Sequence, residues 1–302
     1  MSDSAPASKS KAQVFAARLF STLLLWLVVT AVFLSGSPWV FLAVTTILGM
    51  LGIREYFCMT REGGMPSMPV WGIIVSLFYL LSLGWCLARE GQDCLDSIHS
   101  LDAAFVVVLV MGGFCLQLGR PVDGQKTLIK IAVTTLGFVY IPVMFSFLSR
   151  LLFLPASSDP IPGAWLVIWL AAVTKFTDMG AYVTGSLIGK HKMIAHISPK
   201  KTWQGFAGGL LFAQLAGCGL FAIMPDKLLV LSGWAWVAGL SFLLALLAVV
   251  GDLAESVLKR SIGTKDSGNT LPGIGGTLDL IDSICFTAPV LYFMLKWVVV
   301  CC

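Results

Sequence analysis

Charge is scarce in this chain: Asp, Glu, Lys and Arg make up 12% of its 302 residues, against about a quarter in soluble globular proteins. With 57% hydrophobic residues and a mean hydropathy of +0.89, that shortage excludes a soluble globular enzyme. A strong excess of either sign is missing too. The balance of 20 Lys and Arg against 16 Asp and Glu gives no reason to expect a nucleic-acid partner. The eight cysteines, Cys58, Cys86, Cys94, Cys115, Cys218, Cys285, Cys301 and Cys302, contain no Cys-X-X-Cys pair and no metal-ligand spacing, and they read as reduced fillers in or beside apolar runs. Cys301-Cys302 lacks the fourth-from-last cysteine that prenylation requires. No small-residue cleavage site closes the first apolar run, which follows Lys9, Lys11 and Arg18, so that run reads as a retained span.

What the chain has is apolar length. A helix needs about 20 apolar residues to cross a bilayer. The runs between Gly, Pro and charge predict an all-α, polytopic integral membrane protein of about nine spans, near 20–35, 39–57, 70–87, 102–118, 128–153, 164–186, 203–224, 233–252 and 284–300. Pro142 divides the fifth run, as a kink or as two half-spans, and Ser35-Gly36-Ser37-Pro38 separates the first two, which can also be read as a re-entrant pair. Residues 1–160 form an N-terminal set of helices and 161–302 a C-terminal region in which the polar stretches 187–202 and 253–283 stand out.

Cytoplasmic loops collect Lys and Arg, which tests this topology. With the N-terminus inside, the inner segments hold fifteen of the 20 and the outer segments four, Arg89, Arg150, Lys227 and Lys296, with Lys175 inside the sixth span. Both long polar stretches then face the cytoplasm. The acidic outer loop from Arg89 to Asp102 reads as a solvated loop.

Charge within a span is costly and points to function. Lys175 and Asp178 share a helical face with Tyr182, either as a site or as an ion pair that fixes helix packing. Beyond them, Lys190-His191-Lys192 and Ser198-Pro199-Lys200-Lys201-Thr202 lead into a helix start at Thr202. Such a run suits polyanionic phosphate, or, equally on sequence, anionic lipid head groups. The second stretch is more specific. Asp252, Glu255, Ser256 and Lys259 follow helical spacing, with Arg260 beside them, then Lys265-Asp266, a Gly-rich loop from Gly268 through Gly276, and Asp279 and Asp282. The loop is not a Walker loop, since no Gly-Lys-Ser/Thr closes it. Flanked by carboxylates and cations, it has the makings of a metal-nucleotide site. Hard cations such as Mg²⁺ take carboxylate oxygens and share their other positions with water and substrate phosphates, so Asp252, Asp279 and Asp282 are expected to hold one or two such ions.

The stretch Ser256 to Asp282, with Lys259-Arg260, Lys265-Asp266, Gly268-Asn269-Thr270-Leu271-Pro272-Gly273-Ile274-Gly275-Gly276 and Asp279-Leu280-Ile281-Asp282, resembles the C-terminal motif of bacterial phosphatidate cytidylyltransferases, the CDP-diacylglycerol synthases. A second block matches that family: Asp178-Met179-Gly180-Ala181-Tyr182, then Gly189-Lys190, then Ser198-Pro199-Lys200-Lys201-Thr202-Trp203. Residues 170–290 resemble it well, and the N-terminal half only as hydrophobic spans. Two positions depart from the pattern: Ile274 stands where the family has His, and Leu280 where it has Arg. Lys175 is a charge where an uncharged residue is expected, and it is a candidate to replace the missing Arg.

The resemblance implies that CTP and phosphatidate react to give CDP-diacylglycerol and pyrophosphate, in phospholipid biosynthesis at a bacterial inner membrane. It implies Mg²⁺ on Asp252, Asp279 and Asp282, with a second cation such as K⁺, and phosphate contacts from Lys259, Arg260 and Lys265 beside Asp266. Asp178, Ser198, Lys200, Lys201, Ser256, Asn269, Gly275 and Gly276 would seat the nucleotide. Membrane lipids surround the spans, and a homodimer is expected from the family. A CTP-dependent polyprenol kinase and a secondary transporter using Lys175 and Asp178 are the alternatives.

Overall fold

The computed structural model describes residues 31–155, 161–264, 268 and 275–301. After a helical stretch at 31–35, the helices are α1 (Pro38–Glu62), α2 (Pro69–Glu90), α3 (Ile98–Leu118), α4 (Gln125–Phe138), α5 (Met144–Phe153), α6 (Ala164–Ile188), α7 (Trp203–Ile223), α8 (Trp234–Ser261) and α9 (Thr277–Cys301). Eight helical segments among the described residues are long and apolar enough to cross a membrane, α4 and α5 together forming one of them. They correspond to the second through ninth predicted spans. Residues 20–30 of the first predicted span lie outside the described residues.

Local sequence sets the boundaries. Pro38 and Pro69 open α1 and α2, where the missing N–H of proline costs nothing. Pro142 does not divide its span. It sits in a wide turn, Val139–Val143, that joins α4 to α5 within one crossing, because a helix can route around one absent donor by adding a residue to a turn.

The all-α expectation needs one addition. Between α6 and α7 the chain forms an antiparallel hairpin of β1 (Lys192–Ile194) and β2 (Ser198–Thr202), pairing Lys192 with Thr202 and Ile194 with Ser198. The polar stretch 253–283 is also shorter as a loop than its sequence suggests. Helix α8 continues through Ser261 and α9 begins at Thr277, so Asp252, Glu255, Ser256, Lys259, Arg260, Asp279 and Asp282 all stand on helices. The hydropathy boundary fell early because charged residues at helix ends with partners inside the protein are not obliged to leave the helix.

Helix α9 packs against α8, α5 and α1, and α6 lies against α7 over most of its length. Small residues permit the α6–α7 approach: a Cβ on Gly208 would fall 2.0 Å from Thr184 Oγ1, and one on Gly180 2.5 Å from Phe212 Cβ.

The end of the bundle expected to lie outside departs from the sequence reading in three ways. Cys86 and Cys94 form a disulfide, so two of the eight cysteines are not reduced fillers; the absence of a Cys-X-X-Cys pair hid them because a helix end and a following turn bring residues eight apart together. Cys58 and Cys115 are exposed and Cys285 is buried. Arg150, counted as an outer-loop charge, is 0% exposed. The acidic loop is not simply solvated, because Asp102 binds that arginine and Asp96 receives Lys296 Nζ at 2.8 Å.

Candidate active site

A cavity of about 410 Å³ opens among the hairpin, α6, α7, α8 and the start of α9. Its chemistry comes from four segments. Asp178 and Tyr182 face it from α6, Lys200 and Lys201 from β2, Asp252, Glu255, Ser256 and Lys259 from α8, and Asp279 and Asp282 from the first turns of α9.

The hairpin is held where it can deliver its lysines. Thr202 caps α7, its Oγ1 accepting the Gly205 N–H at 3.1 Å. Gln204 Oε1 accepts the N–H groups of Lys190 and His191 at 3.1 and 3.2 Å, and Trp203 N–H donates to the His191 carbonyl at 3.0 Å. From the far side, Arg260 Nε donates to the Ile197 carbonyl at 3.4 Å. Arg260 therefore braces the hairpin, Ser198 pairs with Ile194 within it, and neither lines the cavity.

Carboxylates and ammonium groups interlock inside. Lys201 Nζ lies 2.8 Å from Asp252 Oδ2. Lys259 Nζ lies 2.9 Å from Glu255 Oε1, one turn earlier on the same helix, and also donates to Asp279 Oδ1 across to α9. Asp279 Oδ2 accepts the Gly276 N–H at 2.9 Å, and Asp282 Oδ1 accepts the N–H of Ser283. Gly251 sets the approach of the two helices: a Cβ there would lie 2.9 Å from Ser283 Cα and 3.0 Å from the Asp282 carbonyl. On the α6 side, Lys175 Nζ donates to the Leu280 carbonyl at 3.1 Å and lies 3.6 Å from Asp178 Oδ2.

Three carboxylates, from Asp252, Glu255 and Asp282, each present an oxygen within 4.8 Å of the other two. Magnesium takes carboxylate oxygens at about 2.1 Å, so the set suits a hard divalent cation in donor type, with its oxygens gathered close enough for a small adjustment to share one ion. Glu255 and Asp282 are buried, and Asp252 is partly open to the cavity. Sequence spacing put Glu255 on the right helical face without singling it out. Asp279 lies in the same cavity, but its oxygens are engaged by Lys259 and the Gly276 N–H.

Of the expected site residues, Asp178, Lys200, Lys201, Asp252, Ser256, Lys259, Asp279 and Asp282 converge on the cavity. Gly275 and Gly276 lead into α9, and a Cβ on Gly275 would meet Asp279 Oδ2 at 2.7 Å. Lys265, Asp266, Asn269 and Ile274 lie outside the described residues.

The model of the Cytidylyltransferase family matches residues 16–298. A phosphatidate cytidylyltransferase from Bacillus subtilis is 33% identical over 259 residues, covering 84% of this chain and 89% of its own length. One from Synechocystis is 30% identical over 284 residues, with 84% and 88% covered. YnbB of Escherichia coli, a protein described as uncharacterized, is 32% identical over 272 residues, with 89% and 82% covered.

Proposed function

Given that the chain belongs to the cytidylyltransferase family, we propose that it is a multi-pass membrane phosphatidate cytidylyltransferase, converting CTP and phosphatidate to CDP-diacylglycerol and pyrophosphate. The observation that carries this reading is the meeting, in one cavity at the end of the α6–α9 helices, of the Asp252–Glu255–Asp282 cluster with the ammonium groups of Lys200, Lys201 and Lys259. Two polyanions have to approach each other in this reaction, and both signs of charge are needed to seat them.

A phosphate monoester is largely dianionic near neutral pH, its second pKa being about 6, so the lipid oxygen attacks the α-phosphorus of CTP without a general base. One P–O bond forms to the lipid phosphate, the bond to the β-phosphate bridging oxygen breaks, and pyrophosphate leaves with that electron pair. The protein's work is alignment and charge stabilisation. Asp252, Glu255 and Asp282, with Asp279 beside them, are the residues to hold Mg²⁺, which when bound shields the triphosphate and its departing pyrophosphate. Lys200, Lys201 and Lys259 contact phosphate oxygens, and Ser256 offers a hydroxyl to the nucleotide. Lys175 and Asp178, on the α6 side, lie where a lipid phosphate enters laterally from the bilayer.

The distribution of Lys and Arg supports a cytoplasmic site, and the bacterial relatives support an inner-membrane setting. The deciding experiment supplies purified protein in detergent with phosphatidate and α-labelled or γ-labelled CTP, with and without Mg²⁺. Metal-dependent entry of the α-label into the lipid phase, with the γ-label released as pyrophosphate, is the expected result. γ-Label in lipid would indicate a kinase and overturn the reading.

A further inference from the structure

Glu55 belongs to α1, far in sequence from every residue of the cavity, yet it reaches the start of α9. Its carboxylate is buried, the residue being 5% exposed, and Oε2 accepts the N–H of Leu278 at 2.8 Å. Leu278 is the second residue of the helix that carries Asp279 and Asp282. The opening N–H groups of a helix have no acceptor within it. Here Gly276 gives its N–H to Asp279, and Leu278 gives its own to Glu55. A carboxylate at that end also meets the positive pole of the helix.

A second contact points the same way. A Cβ on Gly268 would lie 3.2 Å from Glu55 Oε1, so the backbone ahead of α9 passes against the other oxygen of the same carboxylate. The helix beneath is firmly seated. One turn before Glu55, a Cβ on Gly52 would come 2.9 Å from Ile281 Cδ1, and the next residue, Tyr56, donates from its hydroxyl to the Val133 carbonyl at 2.8 Å. Packing α1 against α9 needs only apolar side chains, whereas burying a carboxylate is expensive. Its position at the junction of Gly268 and Leu278 is what the expense secures.

We propose that Glu55 is a positioning residue for cytidylyl transfer: by holding the first turn of α9 through the Leu278 N–H, with the Gly268 backbone packed against it, it sets where Asp279 and Asp282 stand across the cavity from Asp252 and Glu255. This rests on the function proposed above. Its test is steady-state kinetics of Glu55→Ala, Glu55→Gln and Glu55→Asp in detergent, with CTP, phosphatidate and Mg²⁺ each varied, alongside the Mg²⁺-induced shift in melting temperature of each protein without substrates. Glu55→Ala is expected to lower kcat by about 10- to 100-fold, the scale of a small misplacement of reacting groups, and to raise the Mg²⁺ concentration for half-maximal activity, with KM for phosphatidate near wild type. Glu55→Gln, which keeps an acceptor for Leu278, recovers most of the lost kcat. Glu55→Asp, one methylene shorter, behaves like Glu55→Ala and serves if the alanine variant does not fold. Folded Glu55→Ala or Glu55→Asp with wild-type kcat and wild-type Mg²⁺ response would overturn the proposal. A wild-type protein that makes no CDP-diacylglycerol would instead overturn the functional reading.

Discussion

Arg150 grips Asp102 with two hydrogen bonds, Nη1 to Oδ2 at 2.9 Å and Nη2 to Oδ1 at 2.7 Å, joining α5 to α3 at the end of the bundle away from the cavity. Tyr79 and Ser146 complete the arrangement: Arg150 Nη2 donates to both oxygens at 2.9 and 3.0 Å, and the Tyr79 hydroxyl donates to Asp102. Removing one partner of a buried pair leaves a stranded charge, at about 3–5 kcal/mol. Arg150→Met and Asp102→Leu are each expected to lower the melting temperature in detergent, while the double variant recovers most of the loss. Equal destabilisation in the double variant would show that the pair contributes attraction and not merely mutual neutralisation.

In the cavity, Asp282→Asn and Glu255→Gln are expected to abolish turnover in proteins that still insert and fold, as is Asp252→Asn. Label transfer from CTP into lipid is the readout. Near-wild-type rates in Asp282→Asn would remove the metal assignment. Asp279→Asn is also expected to lose activity, through the loss of Lys259's partner and of the carboxylate that receives the Gly276 N–H.

Lys259 is 12% exposed and serves carboxylates on two helices. Lys259→Met leaves both without their cation, so it lowers stability as well as activity. Lys259→Arg retains the charge but not the compact ammonium that fits between Glu255 and Asp279, and is expected to fold well and turn over slowly. Melting temperature and kcat measured on the same preparations separate the two effects.

Lys175 takes hold of the Leu280 carbonyl beside Asp178. Lys175→Met is expected to raise KM for phosphatidate more than KM for CTP, since the group stands on the α6 side and outside the cavity lining. An unchanged KM for both would remove the idea that this ammonium replaces the positive charge Leu280 does not supply.

Long apolar runs made the crossings legible, because hydropathy integrates over a whole helix and needs no partner. Thr202 was legible as a cap because capping is local. The convergence of Asp178, Lys201, Asp252 and Asp282 was foreshadowed by helical spacing and by charge at the ends of apolar runs. Spacing alone does not rank Glu255 against Asp279, as both lie within reach of Lys259 and only the crossing of α8 over α9 decides which carboxylate joins the cluster. Glu55, Arg150 and the β1–β2 hairpin were hidden for a related reason. Each depends on a partner distant in sequence or on a short turn whose composition resembles any basic loop.

The bond between Cys86 and Cys94 ties the end of α2 to the turn before α3, at the end of the bundle where Lys296 meets Asp96 and Gln92 Nε2 reaches the Leu154 carbonyl. Thiols oxidise in the periplasm and remain reduced in the cytosol. In the proposed orientation this pair becomes a chemical record of insertion: chains that have crossed carry the bridge, and newly made or inverted chains carry Cys86 and Cys94 as two additional thiols. A maleimide mass-tag applied to denatured chains would read that record molecule by molecule, reporting which way the protein faces without any assay of what it makes.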